Sequence, residues 1–139
     1  MKSKSLIELR EIFITNIELN VSTPYMPDDD NNFTIEIEST WSLSDDKKLY
    51  LSFPTYTFEA TNQKTDEKCL TVNIMYFCAV DKDGETLVEI GDAVIAELRQ
   101  SVETIVLHHF FKDLNDLLSR TGYPPIHFSS ISAALEKSN

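Results

Sequence analysis

The sequence predicts an α+β fold in which a four-stranded antiparallel sheet is followed by a long α-helix and a short C-terminal helix. Three observations predict it. Apolar and polar side chains alternate through most of residues 6–80, the period of strands with one wet face. From Asp92 onward the apolar residues recur at three- and four-residue steps, the period of a helix. The stretch LLSRTGYPPIHFSSI, residues 117–131, then ends that helix with a glycine and two prolines.

The first strand is LIELREIFITNIELNV, residues 6–21. Ile7, Leu9, Phe13, Ile17, Leu19 and Val21 hold odd positions, while Glu8, Arg10, Asn16, Glu18 and Asn20 hold even ones. Odd side chains are therefore expected inward. Ile12 and Ile14 break the alternation and mark a twist or a second contact surface. STPYMPDDDNN is a loop by composition. Its acidic triplet lacks the alternating spacing and downstream glutamate of a calcium loop. FTIEIESTWSL, residues 33–43, is a second odd-in strand, and SDDKK is a hairpin turn. KLYLSFPTYTFEA starts with Leu49, Leu51 and Phe53 inward and continues with Tyr56 and Phe58. Pro54 has no amide proton, which predicts an edge strand or a bulge that flips the phase. After the turn TNQKTDEK, the strand CLTVNIMYFCAV is apolar at nearly every position, so it is expected centrally or covered on both faces. DKDGE is a further turn, and TLVEI a short fifth strand or connector.

The helix is expected over 92–121, with Asp92 as N-cap, Arg120 in the last turn and Gly122 in the left-handed position beyond it. Its length would be about 43 Å, long for a domain of this size. The run VLHHFF adds apolar side chains off the main stripe. One helix face is therefore expected on the sheet and another on a second subunit, with Val106, His109, Phe110 and Phe111 as the subunit contact. SISAALEK reads as a short terminal helix.

With 139 residues the chain is expected to form one domain, 1–139, with a real core. Its 23 acidic against 12 basic residues give a formal charge of −11, which repels phosphate backbones and anionic membranes and favours a basic partner. Glu8, Arg10 and Glu11 interrupt the apolar run near the N-terminus, so neither a signal peptide nor a membrane span is expected. Cys69 and Cys78 lie on one strand, roughly 30 Å apart at ~3.3 Å per residue, too far to pair or share a metal. Two buried free thiols suit a reducing, cytoplasmic compartment.

Catalytic chemistry is not expected. The adjacent His108 and His109 point about 100° apart on a helix and cannot share a ligand, and no H-x-x-x-H occurs. His127 reads as a strand-surface residue. With Gly84, Gly91 and Gly122 as the glycines, no phosphate-cradling loop is present. Neither a metal nor another cofactor is expected. What remains is a surplus of large side chains beyond a single core stripe. Trp41, Phe53, Tyr56, Phe58, Met75 and Phe77 are the candidates for apolar grooves that bind extended peptide.

The helix end DLLSRTGYPPIHFSSI resembles the corresponding helix end of the SecB family of export chaperones. The matching residues are Asp116, Leu117, Leu118, Arg120, Gly122, Tyr123, Pro124, Ile126 and Ile131. LREIFITNIELNVSTP resembles the family's opening strand at Arg10, Ile12, Phe13, Asn16, Ile17, Leu19 and Pro24. The chain departs from the family in TIVLHHFFKD, which has no proline and carries Phe111 where the family has arginine. The resemblance implies a SecB-like fold that pairs through edge strands and packs through long helices into homodimers or homotetramers. It implies ATP-independent, chaperone-like binding of unfolded polypeptide, with an acidic sheet face (Glu8, Glu18, Glu36 and Glu38) that meets the translocation ATPase. The alternative is an interaction or regulatory module on the same fold that binds one specific protein partner.

Overall fold

The computed structural model describes residues 7–28, 30–82 and 91–126. The predicted turn DKDGE lies largely outside these residues. TLVEI, His127 and the short terminal helix lie wholly outside them. The strands are β1 (Ile7–Val21), β2 (Asn31–Glu38), β3 (Trp41–Leu43), β4 (Tyr50–Ser52), β5 (Thr55–Asn62) and β6 (Lys68–Lys82). The helix has two parts, α1 (Asp92–Leu98) and α2 (Thr104–Leu118), joined without interruption by a π-helical turn at Arg99–Glu103.

Among the described residues the sheet has six antiparallel strands rather than the four expected. β6 pairs along one edge with β1 and along the other with β5 and β4, which in turn pair with β2 and β3. Two of the expected strands are each divided in two. Pro54 separates β4 from β5: the Tyr76 amide donates to the Pro54 carbonyl (2.9 Å), but proline has no amide proton to return the bond. β2 and β3 part at Ser39, whose carbonyl accepts from the Arg99 guanidinium (3.2 Å).

The expected phase flip at Pro54 does not occur. Tyr50, Ser52, Pro54, Tyr56, Phe58 and Ala60 are all buried on the face beneath the helix, so even positions point inward throughout. Leu51 and Phe53 point to the opposite face. In β1, register shifts fall between Leu9 and Glu11 and between Ile14 and Asn16. Each bulge reverses the parity of the strand. Ile7, Leu9, Ile12, Ile14, Ile17, Leu19 and Val21 consequently share the helix side, and Phe13 points to the other side. The interruption at Ile12 and Ile14 is thus the sequence trace of two bulges. The expected inward odd position is corrected at Phe13, which is 49% exposed.

The helix lies over β5 and β6 through Leu98, Val102, Val106, Leu107, Phe110, Leu114 and Leu118, all buried. Six of these recur every four residues, a spacing that drifts by about 40° per step on a regular helix. The π-turn takes in one extra residue, which cuts the accumulated drift from roughly 200° to roughly 100°. The expected N-cap is corrected by one position: Gly91 is the N-cap and Asp92 the first helical residue, where its charge complements the helix dipole. At the other end Gly122 sits at φ 85°, as the helix stop requires. Beyond it the chain is pinned. The Tyr123 hydroxyl donates to the Thr23 carbonyl (2.7 Å), and the Asn115 amide exchanges two hydrogen bonds with the Ile126 backbone (2.8 and 3.1 Å).

Tyrosine hydroxyls fix the helix to the sheet. Tyr56 donates to the Glu103 carbonyl (2.9 Å) and Tyr76 to the Asp113 carboxylate (2.7 Å). Burial raises both hydroxyls above the ordinary tyrosine value, helped at Tyr76 by that bond and at Tyr56 by the charge of Glu103. Burial also pushes the Cys78 thiol up to about 12. All three groups hold their protons more tightly folded than unfolded. Their stabilisation is complete below about pH 9 and is lost as pH climbs toward 12, at up to about 1.4 kcal/mol per pH unit for each group. Urea midpoints are therefore expected to be flat between pH 7 and 8.5 and to fall steeply above pH 9.5.

Candidate functional site

The helix-free face of the sheet is built by alternation. Because Ile35 and Ile37 face the helix, Glu36 and Glu38 face away. Because Val72, Ile74 and Tyr76 face the helix, Asn73, Met75 and Phe77 face away. The two bulges of β1 bring Phe13 opposite Phe77 on this side. The in-register continuation across Pro54 brings Phe53 opposite Phe77 from the other flank. The three rings form a cross-strand ladder, with centroids 5.0 Å apart for Phe13–Phe77 and 5.3 Å for Phe53–Phe77. Such contacts add to the area they cover. Phe13 and Phe53 are about half exposed, at 49% and 48%. Met75 and Leu51, both half-buried, extend the ladder on the same face.

Carboxylates flank this patch along β1 and β2. Glu8, Glu18, Glu36 and Glu38 are all exposed, and register puts all of them on the helix-free face, opposite Asp81, Asn73, Thr57 and Thr55. Arg10 bridges Glu8 (3.4 Å) and Asp81 (2.8 Å), and Lys68 meets Glu59 (3.1 Å). Three of the residues expected to bind peptide, Phe53, Met75 and Phe77, thus share one surface with those expected to dock a partner. The arrangement is an apolar, aromatic centre with an acidic rim along β1 and β2. It can desolvate an apolar or aromatic side chain while its edge attracts a cation.

The structure separates the predicted peptide-binding set. Phe53, Met75 and Phe77 lie in the patch. Tyr56 and Phe58 are corrected to core: both are essentially unexposed beneath the helix, and Tyr56 stacks on Phe110 at 5.2 Å. Trp41 is half-buried on the helix side, against the core. The predicted subunit contact is corrected in the same way. Val106 and Phe110 are buried under the chain's own sheet and are unavailable to another copy. Phe111 is half-buried against that core, and His109 is exposed on the outer side of α2, beside Ile105, His108 and Lys112. Phe13 and Leu51 belong to the patch and were not predicted; parity alone placed both inward.

Among the described residues, no group of three or more His, Cys, Asp or Glu could hold a metal ion, and no helix is long and apolar enough to cross a membrane. Cys69 and Cys78 are free and buried.

The sequence matches no protein-family model and no curated protein. Its architecture does match solved structures. One is the SecB-like chaperone Rv1957 of Mycobacterium tuberculosis in complex with a ChAD peptide from the Rv1956 HigA1 antitoxin. It aligns at a TM-score of 0.70 over 88% of each chain, with 13% identity. The fold is SecB-like. At that identity the likeness is one of architecture.

Proposed function

We propose that the protein is a non-catalytic polypeptide-binding protein on a SecB-like fold, acting as an ATP-independent chaperone on extended, unfolded chain. The observation that carries this reading is the exposed Phe13–Phe77–Phe53 ladder, flanked by carboxylates of β1 and β2. Apolar segments of a client would be buried on the rings, and the chain's −11 charge would keep the complex dissolved. The two free thiols suit a reducing compartment, so we place this activity in the cytoplasm. The resemblance further supports assembly into dimers or tetramers. Among the described residues β1 is an edge strand paired only with β6, and it carries Ile14, Ile17, Leu19 and Val21 exposed on its helix side, a suitable strip for a second copy.

The second reading is a dedicated module for one protein partner. It is favoured by the SecB-like neighbour, which holds a peptide of one particular antitoxin. Docking of a translocation ATPase on the acidic rim is one form of it. Aggregation assays on several unrelated unfolded clients separate the two. A chaperone of this kind suppresses aggregation of most of them at near-stoichiometric amounts. Suppression of none removes the general reading and leaves the dedicated one.

A further inference from the structure

The irregularities of the sheet fall on one transverse line. Between the pairs Glu38–Thr55 and Trp41–Ser52 each strand advances by three residues, which places Ser39 opposite Pro54. Between Ser52–Cys78 and Thr55–Met75 the same count places Pro54 opposite Tyr76. Tyr76 pairs with Ile14, directly before the second bulge of β1. The line Ser39–Pro54–Tyr76–Ile14 therefore crosses the whole sheet, and an interruption lies on or beside it in three of the four rows. β2 parts from β3, β4 parts from β5, and β1 bulges at Thr15, whose hydroxyl donates to the Met75 carbonyl (3.1 Å). Two cross-strand neighbours just beside the line, Trp41 and Ser52, each have a buried polar atom without a hydrogen-bond partner among the described residues.

Each side of the sheet places a feature at this line. On the helix side the π-turn is fastened there. The Ser39 hydroxyl donates to the Glu103 carboxylate (2.7 Å), and Tyr56 donates to the Glu103 carbonyl (2.9 Å). Arg99 donates to the Ser39 carbonyl (3.2 Å) and lies 3.9 Å from the Glu103 carboxylate. On the other side the adjacent line of residues is the aromatic ladder, Phe53–Phe77–Phe13.

We propose that this line is a hinge of the sheet, and that Ser39, Tyr56, Arg99 and Glu103 are positioning residues that hold the ladder in its binding geometry from the opposite face. A change of backbone angle at Pro54 or Thr15 alters the separation of the rings beside it, because those rings belong to three different rows. A π-turn holds one residue more than a regular turn and can release it, so it is the part of the helix able to follow such a change. Bulged and interrupted rows offer fewer ladder bonds to resist it. The helix and the ladder are then linked, and the link is reciprocal: whatever fixes the rings also steadies the π-turn. The coupling to a ligand rests on the binding role proposed for the ladder, whereas the hinge itself does not.

Amide hydrogen exchange tests both parts. In Tyr56→Phe and Ser39→Ala, segments 13–17, 39–41, 53–55 and 75–77 are expected to exchange roughly three- to ten-fold faster, the effect of losing one buried hydrogen bond. Segments 57–60 and 70–73, away from the line, should keep wild-type rates. Acceleration that is uniform over the sheet, or absent, overturns the hinge. In the wild type, a saturating peptide of alternating lysine and phenylalanine is expected to slow exchange at 99–104. Binding without any change there overturns the coupling. A peptide that fails to bind the wild type removes the ladder's role but leaves the hinge to stand or fall on the variants alone. Trp41, the single tryptophan, begins β3 beside the line and provides a second readout: its emission should shift in both variants.

Discussion

Replacing Phe53 with serine is expected to weaken binding of an extended, lysine- and phenylalanine-bearing peptide by roughly ten-fold or more, while lowering the urea midpoint only modestly. The two halves of that expectation have separate causes. Phe53 is 48% exposed and stands on the helix-free face, so its removal opens no cavity in the core. Losing its ring pairing with Phe77 costs about 0.5–1.5 kcal/mol, well below the loss from emptying a core site. Its ring nevertheless flanks Phe77 at 5.3 Å and forms one end of the ladder, where an aromatic ligand side chain would stack. A centrally placed aromatic contact of this kind is worth more than about 1.4 kcal/mol, a factor of ten in affinity. Phe13→Ser should act in the same direction from the other flank. Glu36→Gln with Glu38→Gln should behave differently, lowering the association rate at low salt and having little effect at high salt. Rim charges act over a Debye length of about 10 Å at 0.1 M ionic strength. Titration calorimetry and stopped-flow measurements at two salt concentrations check all of these. If Phe53→Ser binds as well as the wild type, the ladder is not the site.

The candidate site was partly legible in the sequence, and the parts that were not share a cause. Alternation placed Glu8, Glu18, Glu36 and Glu38 outward correctly, because a glutamate on a strand seldom has any other stable direction. Phe53 was a candidate for the wrong reason. Large side chains at Leu51 and Phe53 suggest that odd positions point inward and that Pro54 reverses the phase. In the fold the inward positions are Tyr50, Ser52 and Tyr56, and the apparent reversal is the apolar patch itself, seen in projection. Phe13 was lost similarly. One strand with two bulges carries apolar residues at odd, then even, then odd positions, and alternation cannot distinguish that from a strand with two exceptions. The helix was legible from Asp92 to its stop at Gly122, since each boundary residue has a local reason to be there. Its π-turn was not. Four-residue spacing from Leu98 to Leu118 is compatible with either a curving regular helix or one that takes in an extra residue. The side chains that fasten this turn at Glu103, Ser39 and Tyr56, are more than forty residues away.

Phe110→Ala is expected to cost about 3–5 kcal/mol, enough to unfold a domain of ordinary stability or bring it close to unfolding. Phe110 is completely buried, stacks on Tyr56 at 5.2 Å, and stands in the stripe between Val106 and Leu114. Tyr56 in turn bonds the π-turn and meets Tyr76 edge-on at 5.9 Å. The cavity would therefore open where the sheet, both tyrosines and the helix meet. Phe111→Ala should cost far less, because Phe111 is only half-buried on the flank of the same helix. The sequence gives these neighbours equal weight as subunit contacts, but the fold assigns them opposite work. Phe111 and the exposed His109 remain able to meet another copy, whereas Phe110 cannot do so without leaving the core. Chemical denaturation with light scattering separates the effects. Phe110→Ala should lower the midpoint sharply with no change of mass in the fraction that stays folded. A Phe111→Ala, His109→Ala pair should retain most of the stability and lose mass if the outer side of α2 is a subunit contact. Similar losses of stability at Phe110 and Phe111 would mean that the helix lies on the sheet by a different face.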